Sequence, residues 1–149
     1  MKIRWLIRPD LDSVLAIEDR SFDFPWTRED FLHHLSQRNC IGIVMEGRCG
    51  DVIAYAVYEQ HKQRIELLNL AVHPDHRLRK VGTALMERLI SKLSPMKRRK
   101  LVLNVGERNT AAHLFFRSAG FKATGVLRNH YDHCDDDAYS FEYVSHELV

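Results

Sequence analysis

The run Arg77, Leu78, Arg79, Lys80, Val81, Gly82, Thr83, Ala84 gathers cations, a glycine and a helix start in one place, a combination suited to holding a phosphate. An apolar run, Leu67, Leu68, Leu70, Ala71 and Val72, precedes it and reads as a buried strand. Apolar residues then recur at helical spacing, at Val81, Ala84, Leu85, Leu89 and Leu93. The first turn of a helix carries N–H groups without intrahelical partners, and its aligned peptide dipoles add partial positive charge. Anions are drawn to such a turn. Gly82 lets a bulky anion approach the backbone, while Arg77, Arg79 and Lys80 surround it with charge. The plainer alternative is an ordinary helix start with solvated cations. The nucleotide fingerprints are missing: no G-K-[ST] follows, and G-x-G-x-x-G does not occur.

Glu66, on the strand that feeds this segment, is a carboxylate able to exchange a proton. Period-two alternation puts it on one strand face with Leu68, Leu70 and Val72. Buried in that apolar row, its carboxyl would be pushed up toward useful values. The competing expectation is a solvated glutamate paired with Arg64 or Lys62.

The elements that must position these groups are legible from periodicity. Ile3 to Ile7 reads as a strand, and Leu11, Val14, Leu15 and Ile17 mark one face of a helix. The aromatic loop Phe22, Phe24, Pro25, Trp26 leads to a second helix, where Thr27 and Asp30 form a capping-box pattern. Cys40 to Met45 and Val52 to Tyr58 pair around a turn at Gly47 to Gly50, and Ile65 to Val72 feeds the phosphate loop. Pro95 ends the next helix, Leu101 to Val105 is another strand, and Asn109 caps a helix that stops at Gly120. Phe121 to Leu127 and Ala138 to Val144 close the chain as a hairpin. The order β-α-α-β-β-β-α-β-α-β-β defines an α/β protein with a mixed sheet.

With 149 residues and neither repeats nor a linker, the expectation is one domain over 1–149 with its own core. No apolar run has the length of a membrane span, so no membrane association is expected. Cys40, Cys49 and Cys134 have no metal-type spacing and point to reduced thiols in the cytoplasm. A net charge of +2 argues against a dedicated nucleic-acid binder.

The R-x-x-G-x-A pattern from Arg79, with Val72, Pro74 and Arg77 before it, resembles the acyl-CoA pyrophosphate loop of the GCN5-related N-acetyltransferase (GNAT) superfamily. Asn109, Ala112, Phe116, Gly120 and Phe121 are similar to its second signature, and the element order is that of the GNAT fold. The resemblance implies acetyl-CoA as cosubstrate and puts Glu66, six residues before Val72, at the position of the catalytic glutamate, making it the candidate general base. The cosubstrate would be held at Leu70, Ala71, Val72, the loop Arg77 to Ala84, Asn109 and Phe116, with no metal, and a backbone N–H near Leu70 to Val72 would serve the oxyanion. Phe24, Pro25, Trp26 and Thr27 look like the F-P-W-[ST] loop of protein N-terminal acetyltransferases. Arg128, Asn129, His130 and Tyr131, with Asp137, Ala138 and Tyr139, look like that group's R-N-Y-Y…D-A-Y hairpin. Within the group the segments are most similar to the RimI type, which acetylates a small-subunit ribosomal protein at its N-terminal alanine. On this resemblance Phe24, Pro25, Trp26, Tyr131 and Tyr139 pack a peptide N-terminus. The alternative for Trp26 and Tyr131 is that they are core aromatics anchored near the surface.

The chain departs from that type at two proton-transfer positions. Asn104 stands where the RimI type has a glutamate, and Phe116 where it has a tyrosine. Neither can exchange a proton near neutrality. Asn104 would then order a water or bind the amine, and Tyr131 offers a replacement hydroxyl. Two rival functions stay open: acetylation of a small amine such as a polyamine or antibiotic, and acyl-CoA binding without catalysis. His130, His133, Cys134 and Asp135 to Asp137 crowd one turn without a second half-site, so metal binding is not expected. Lys97 to Lys100 reads as a solvated basic run.

Overall fold

The computed structural model describes residues 1–77, 80–128 and 137–145. Its elements follow the order expected from sequence: β1 (Lys2–Trp5), α1 (Leu11–Ser21), α2 (Arg28–Leu35), β2 (Cys40–Glu46), β3 (Val52–Gln60), β4 (Arg64–Val72), α3 (Val81–Ile90), β5 (Lys100–Gly106), α4 (Thr110–Ser118), β6 (Lys122–Leu127) and β7 (Ala138–Val144). Two compact units emerge. The first holds Met1–Gln60 and Leu67–Arg88; the second holds His61–Glu66 and the chain from Leu89 onward. The divisions fall inside β4 and inside α3, not in loops.

In the first unit the strands run in the order β1-β2-β3-β4. β1 and β2 are antiparallel, as are β2 and β3. The first strand stops at Trp5, short of the expected Ile7, because the chain turns to form a clamp. Arg4 donates to both carboxylate oxygens of Asp10, at 2.8 and 2.9 Å, and to Glu46 at 2.8 Å. Asp10 also accepts the Ile7 N–H at 2.8 Å, which fixes the 3-10 turn Arg8–Asp10 before α1. Leu11, Val14 and Ile17 of α1 are buried with Phe31, Val44, Tyr55, Val57 and Ala71 in one apolar cluster. Full burial of a side chain of this size contributes roughly 1.5–3 kcal/mol. The capping box of α2 is formed in both directions: Asp30 N–H donates to Thr27 Oγ1 at 3.1 Å and Thr27 N–H to Asp30 Oδ2 at 2.8 Å.

In the second unit the order is β4-β5-β7-β6. The β4–β5 pairing is parallel, from Arg64↔Lys100 to Glu66↔Val102, and the other pairs are antiparallel, so the sheet is mixed. Alternation divides β5 cleanly. Leu101, Leu103 and Val105 are buried and face the same way as Tyr143, Phe141 and Tyr139 of β7. Val102 and Asn104 face the other way, with Glu142 and Ser140. Phe116 of α4 packs on Phe121 and Phe141 with ring centroids at 5.4 and 6.5 Å. Past α4, Gly120 adopts φ +97, and a Cβ there would meet the Tyr143 ring at 3.2 Å. The positive φ strains any residue with a Cβ, and the Tyr143 ring would have to give by a few tenths of an ångström as well. α3 ends at Ile90, so Leu93 lies beyond it in a turn although its side chain is buried.

Candidate active site

The segment after β4 is where the sequence leads one to expect an anion cradle. His73 Nδ1 accepts the Asp75 N–H at 3.1 Å, shaping the 3-10 turn Pro74–His76. Arg77 folds back: its Nε donates to the Val72 carbonyl at 3.1 Å and its Nη2 to Ser21 Oγ at 3.0 Å. Leu78 and Arg79 lie outside the described residues. Lys80 takes φ 61, the left-handed region that non-glycine residues seldom enter. Its carbonyl then accepts the Ala84 N–H at 3.0 Å, so Lys80 is the residue from which α3 departs. The N–H groups of Val81, Gly82 and Thr83 belong to the first helical turn, which has no earlier turn to bond to. A left-handed residue, a helix start and a cation at one spot are compatible with the expected anion site. Leu70 and Val72 occupy the half-buried face of β4, while Ala71 faces the apolar cluster.

A second feature lies in the other unit. A polar cleft of about 470 Å³ is lined by Arg64, Glu66, Lys100, Asn104, Ser140 and Glu142, among others, and so brings together Glu66 and Asn104. Ser140 Oγ donates to Asn104 Oδ1 at 3.1 Å. Lys100 pairs with Glu142 at 2.9 Å. Glu66 does share the parity of Leu68, Leu70 and Val72, but Ile65, Leu67, Asn69 and Ala71 form the deeper face. The Glu66 side chain is 31% exposed, 3.9 Å from Arg64 Nη2 and 3.8 Å from His61 Nε2. The expected burial is therefore not observed. The ion-paired alternative with Arg64 is.

The aromatic loop divides its labour. Trp26 is half-buried, edge-on to Phe31 at 5.0 Å and stacked on His34 at 4.4 Å, so its ring is anchored on the core while part of the residue stays accessible. Pro25 is half-buried, and Phe24 is left 55% exposed. Beneath the loop sits a carboxylate that the sequence reading passed over. Glu18 of α1 is 1% exposed. Its Oε1 accepts the Tyr55 hydroxyl; the same oxygen accepts the Asn69 Nδ2–H at 2.8 Å, and Oε2 accepts the Trp26 N–H at 2.8 Å. Burial raises its carboxyl above the usual range, and the three donors oppose that rise without cancelling it. A signal was available: Glu18 completes the i, i+3, i+4, i+7 stripe of Leu11, Val14 and Leu15, and a charge inside an apolar stripe asks for buried partners.

The second signature is more architectural than the loop. Asn109 caps α4, its Oδ1 accepting the Ala112 N–H at 3.2 Å. Phe116 is 7% exposed within the aromatic cluster. Tyr139 faces α4, its ring 5.2 Å from His113, and is not brought to the face of Asn104 and Ser140. Tyr131, like Asn129, His130 and the His133 to Asp136 run, lies outside the described residues. No described helix is long and apolar enough to cross a membrane.

This fold and cradle define the class: the chain belongs to the GNAT acetyltransferase family, which matches it over residues 11–121 and uses acetyl-CoA. The chain is 31% identical over 126 residues to the [ribosomal protein bS18]-alanine N-acetyltransferase of Escherichia coli strain K12, covering 85% of this chain and 84% of that one. It is 26% identical over 129 residues to the putative [ribosomal protein bS18]-alanine N-acetyltransferase of Bacillus subtilis strain 168, covering 87% and 85%. The crystal structure of the ribosomal-protein-S18-alanine N-acetyltransferase from Escherichia coli superposes with a TM-score of 0.83 at 27% identity, covering 99% of this chain and 98% of that one.

Proposed function

We propose that this chain transfers the acetyl group of acetyl-CoA to the N-terminal α-amine of a protein, a ribosomal protein among the candidate acceptors. The observation that carries the reading is the 31% identity, over 85% of the chain, to an enzyme named for an alanine of a ribosomal protein. Lys80, Arg77 and the first turn of α3 would take the pyrophosphate of acetyl-CoA, with Arg79, Leu78 and Asn109 contributing as the family resemblance implies. Phe24, on the exposed loop, would pack the acceptor's first residues, with Tyr131 from the hairpin.

The chemistry asks for little. The neutral amine attacks the thioester carbonyl, the carbon–sulfur bond breaks, and the nitrogen sheds a proton as the thiolate leaves. An α-amine with a pKa of about 7.7–8.0 is already partly neutral at physiological pH, so a modest base suffices. Glu66 is the proposed base, acting directly or through a water, with the Asn104 amide as a hydrogen-bond donor to the acceptor. Holding two substrates in register supplies much of the remaining rate.

The charge of the cleft disfavours a polyamine acceptor. Glu142 is paired with Lys100, and Glu66 lies beside Arg64, so its carboxylates are offset by cations. A polycation needs carboxylates without such partners. The non-catalytic reading rests on Asn104 and Phe116, which carry no proton to exchange.

Thiol release from acetyl-CoA, measured against N-terminal peptides, lysine peptides and polyamines, tests the proposal. The Arg79→Ala, Gly82→Trp double variant serves as the blank. Transfer to an N-terminal peptide is expected. Acetyl-CoA binding with no transfer to any acceptor would overturn it in favour of the binding module.

A further inference from the structure

We propose that Glu18 is a positioning residue that holds the 22–27 loop ready for the acceptor; this rests on the function proposed above. The buried carboxylate is gripped from three directions. Tyr55 reaches it from β3, Asn69 from β4 and the Trp26 backbone N–H from the loop. Taking a carboxylate out of water is costly, and here three donors aimed at it offset that cost. What an apolar residue cannot do is accept a backbone N–H from the loop.

That hydrogen bond has a directed consequence. The backbone of Trp26 is fixed by Glu18 and its ring by Phe31 and His34. Phe24 and Pro25 therefore leave a point fixed on both sides, and the exposed Phe24 ring is offered from a set place. The same carboxylate holds Asn69, whose chain neighbours Leu68 and Leu70 lie on the half-buried face of β4. Glu18 thus ties the loop that receives the acceptor to the strand that leads into the anion cradle. It touches no substrate itself.

Steady-state kinetics of Glu18→Gln and Glu18→Leu with an N-terminal peptide, together with hydrogen exchange, test this. Losing the acceptor should raise the acceptor KM about tenfold in Glu18→Leu and less in Glu18→Gln, which keeps one carbonyl oxygen. The KM for acetyl-CoA should stay within about twofold, because the cradle retains its own hydrogen bonds. Val14→Ala, in the same apolar cluster, is the control: it lowers Tm and leaves the acceptor KM unchanged. Glu18→Gln keeps the test open should the leucine variant fail to fold. Both KM values rising together, or an unchanged acceptor KM in a folded variant, would overturn the proposal. Exchange at the Trp26 amide reports the tether whether or not any peptide is acetylated. Faster exchange confined to residues 22–27 supports it, and unaltered exchange overturns it, independently of the fate of the proposed function.

Discussion

The hydroxyl of Ser140 donates to the side-chain carbonyl of Asn104 across 3.1 Å, and this one contact sets which end of the amide faces the cleft. With Oδ1 engaged, the Nδ2 hydrogens are what Asn104 offers outward. The residue offers a donor at the position where the family resemblance implies a glutamate.

Asn104→Ala should therefore weaken acceptor binding and leave the shape of the pH profile unchanged. Loss of one hydrogen bond predicts an acceptor KM about fivefold higher. Asn104→Glu should do something different, lifting kcat/KM on the acidic side of neutrality by about tenfold or more as a titrating base enters the cleft. Initial rates between about pH 6 and 9, bracketing the α-amine pKa, distinguish the two.

Glu66→Gln addresses the remaining carboxylate. Removal of the proposed base should lower kcat by about one to two orders of magnitude, most visibly below the pKa of the acceptor amine. Wild-type rates across the whole pH range would remove Glu66 from the mechanism and leave its contacts with Arg64 and His61 as its role.

Lys80 sets conformation against charge. Its left-handed backbone, at φ 61, costs roughly 1–2 kcal/mol for a residue with a Cβ. Lys80→Gly should relieve that cost and hold or raise Tm, while the lost cation raises the KM for acetyl-CoA several-fold. A thermal melt and one substrate titration read both. A variant that is more stable and binds acetyl-CoA less well is the expected result.

Two buried carboxylates should tilt the pH dependence of stability in opposite directions. Hydrogen bonds from the Arg4 guanidinium hold the Asp10 carboxyl below its ordinary value. Its stabilisation is present above the ordinary carboxylate range and is lost as pH falls through the lowered, folded-state pKa. Burial raises Glu18, so folding is most favourable with respect to that group below the ordinary range, and stability declines as pH rises through its folded-state pKa. Urea midpoints from about pH 3 to 8 should show the acid loss abolished in Asp10→Asn and the alkaline-side decline abolished in Glu18→Gln.

Much of this architecture was legible from local pattern. The capping box at Thr27 and Asp30, the N-cap at Asn109 and the stop at Gly120 are each written within a few residues, and each is formed. Strand parity also placed Glu66 correctly alongside Leu68, Leu70 and Val72. Parity does not say which of two apolar faces lies deeper, and Glu66 is on the shallower one. Glu18 was missed for a related reason. Its partners Tyr55 and Asn69 are distant in sequence, so a lone glutamate beside Asp19 and Arg20 looks like solvated helix surface. The packing of Trp26 was less legible, because Phe31 and His34, which hold its ring, come from the following helix.

Gly120 carries a different kind of information. Its positive φ and the Tyr143 ring 3.2 Å from a would-be Cβ are separate objections to any other residue. A substitution must overcome both, and compensating one leaves the other in force. Seven positions of β6 and its approach, from Phe121 to Leu127, include exposed side chains that can drift freely. A saturation library spanning this stretch should thus return a sharp step in tolerance: broad recovery at the exposed strand, and strong enrichment of glycine at residue 120.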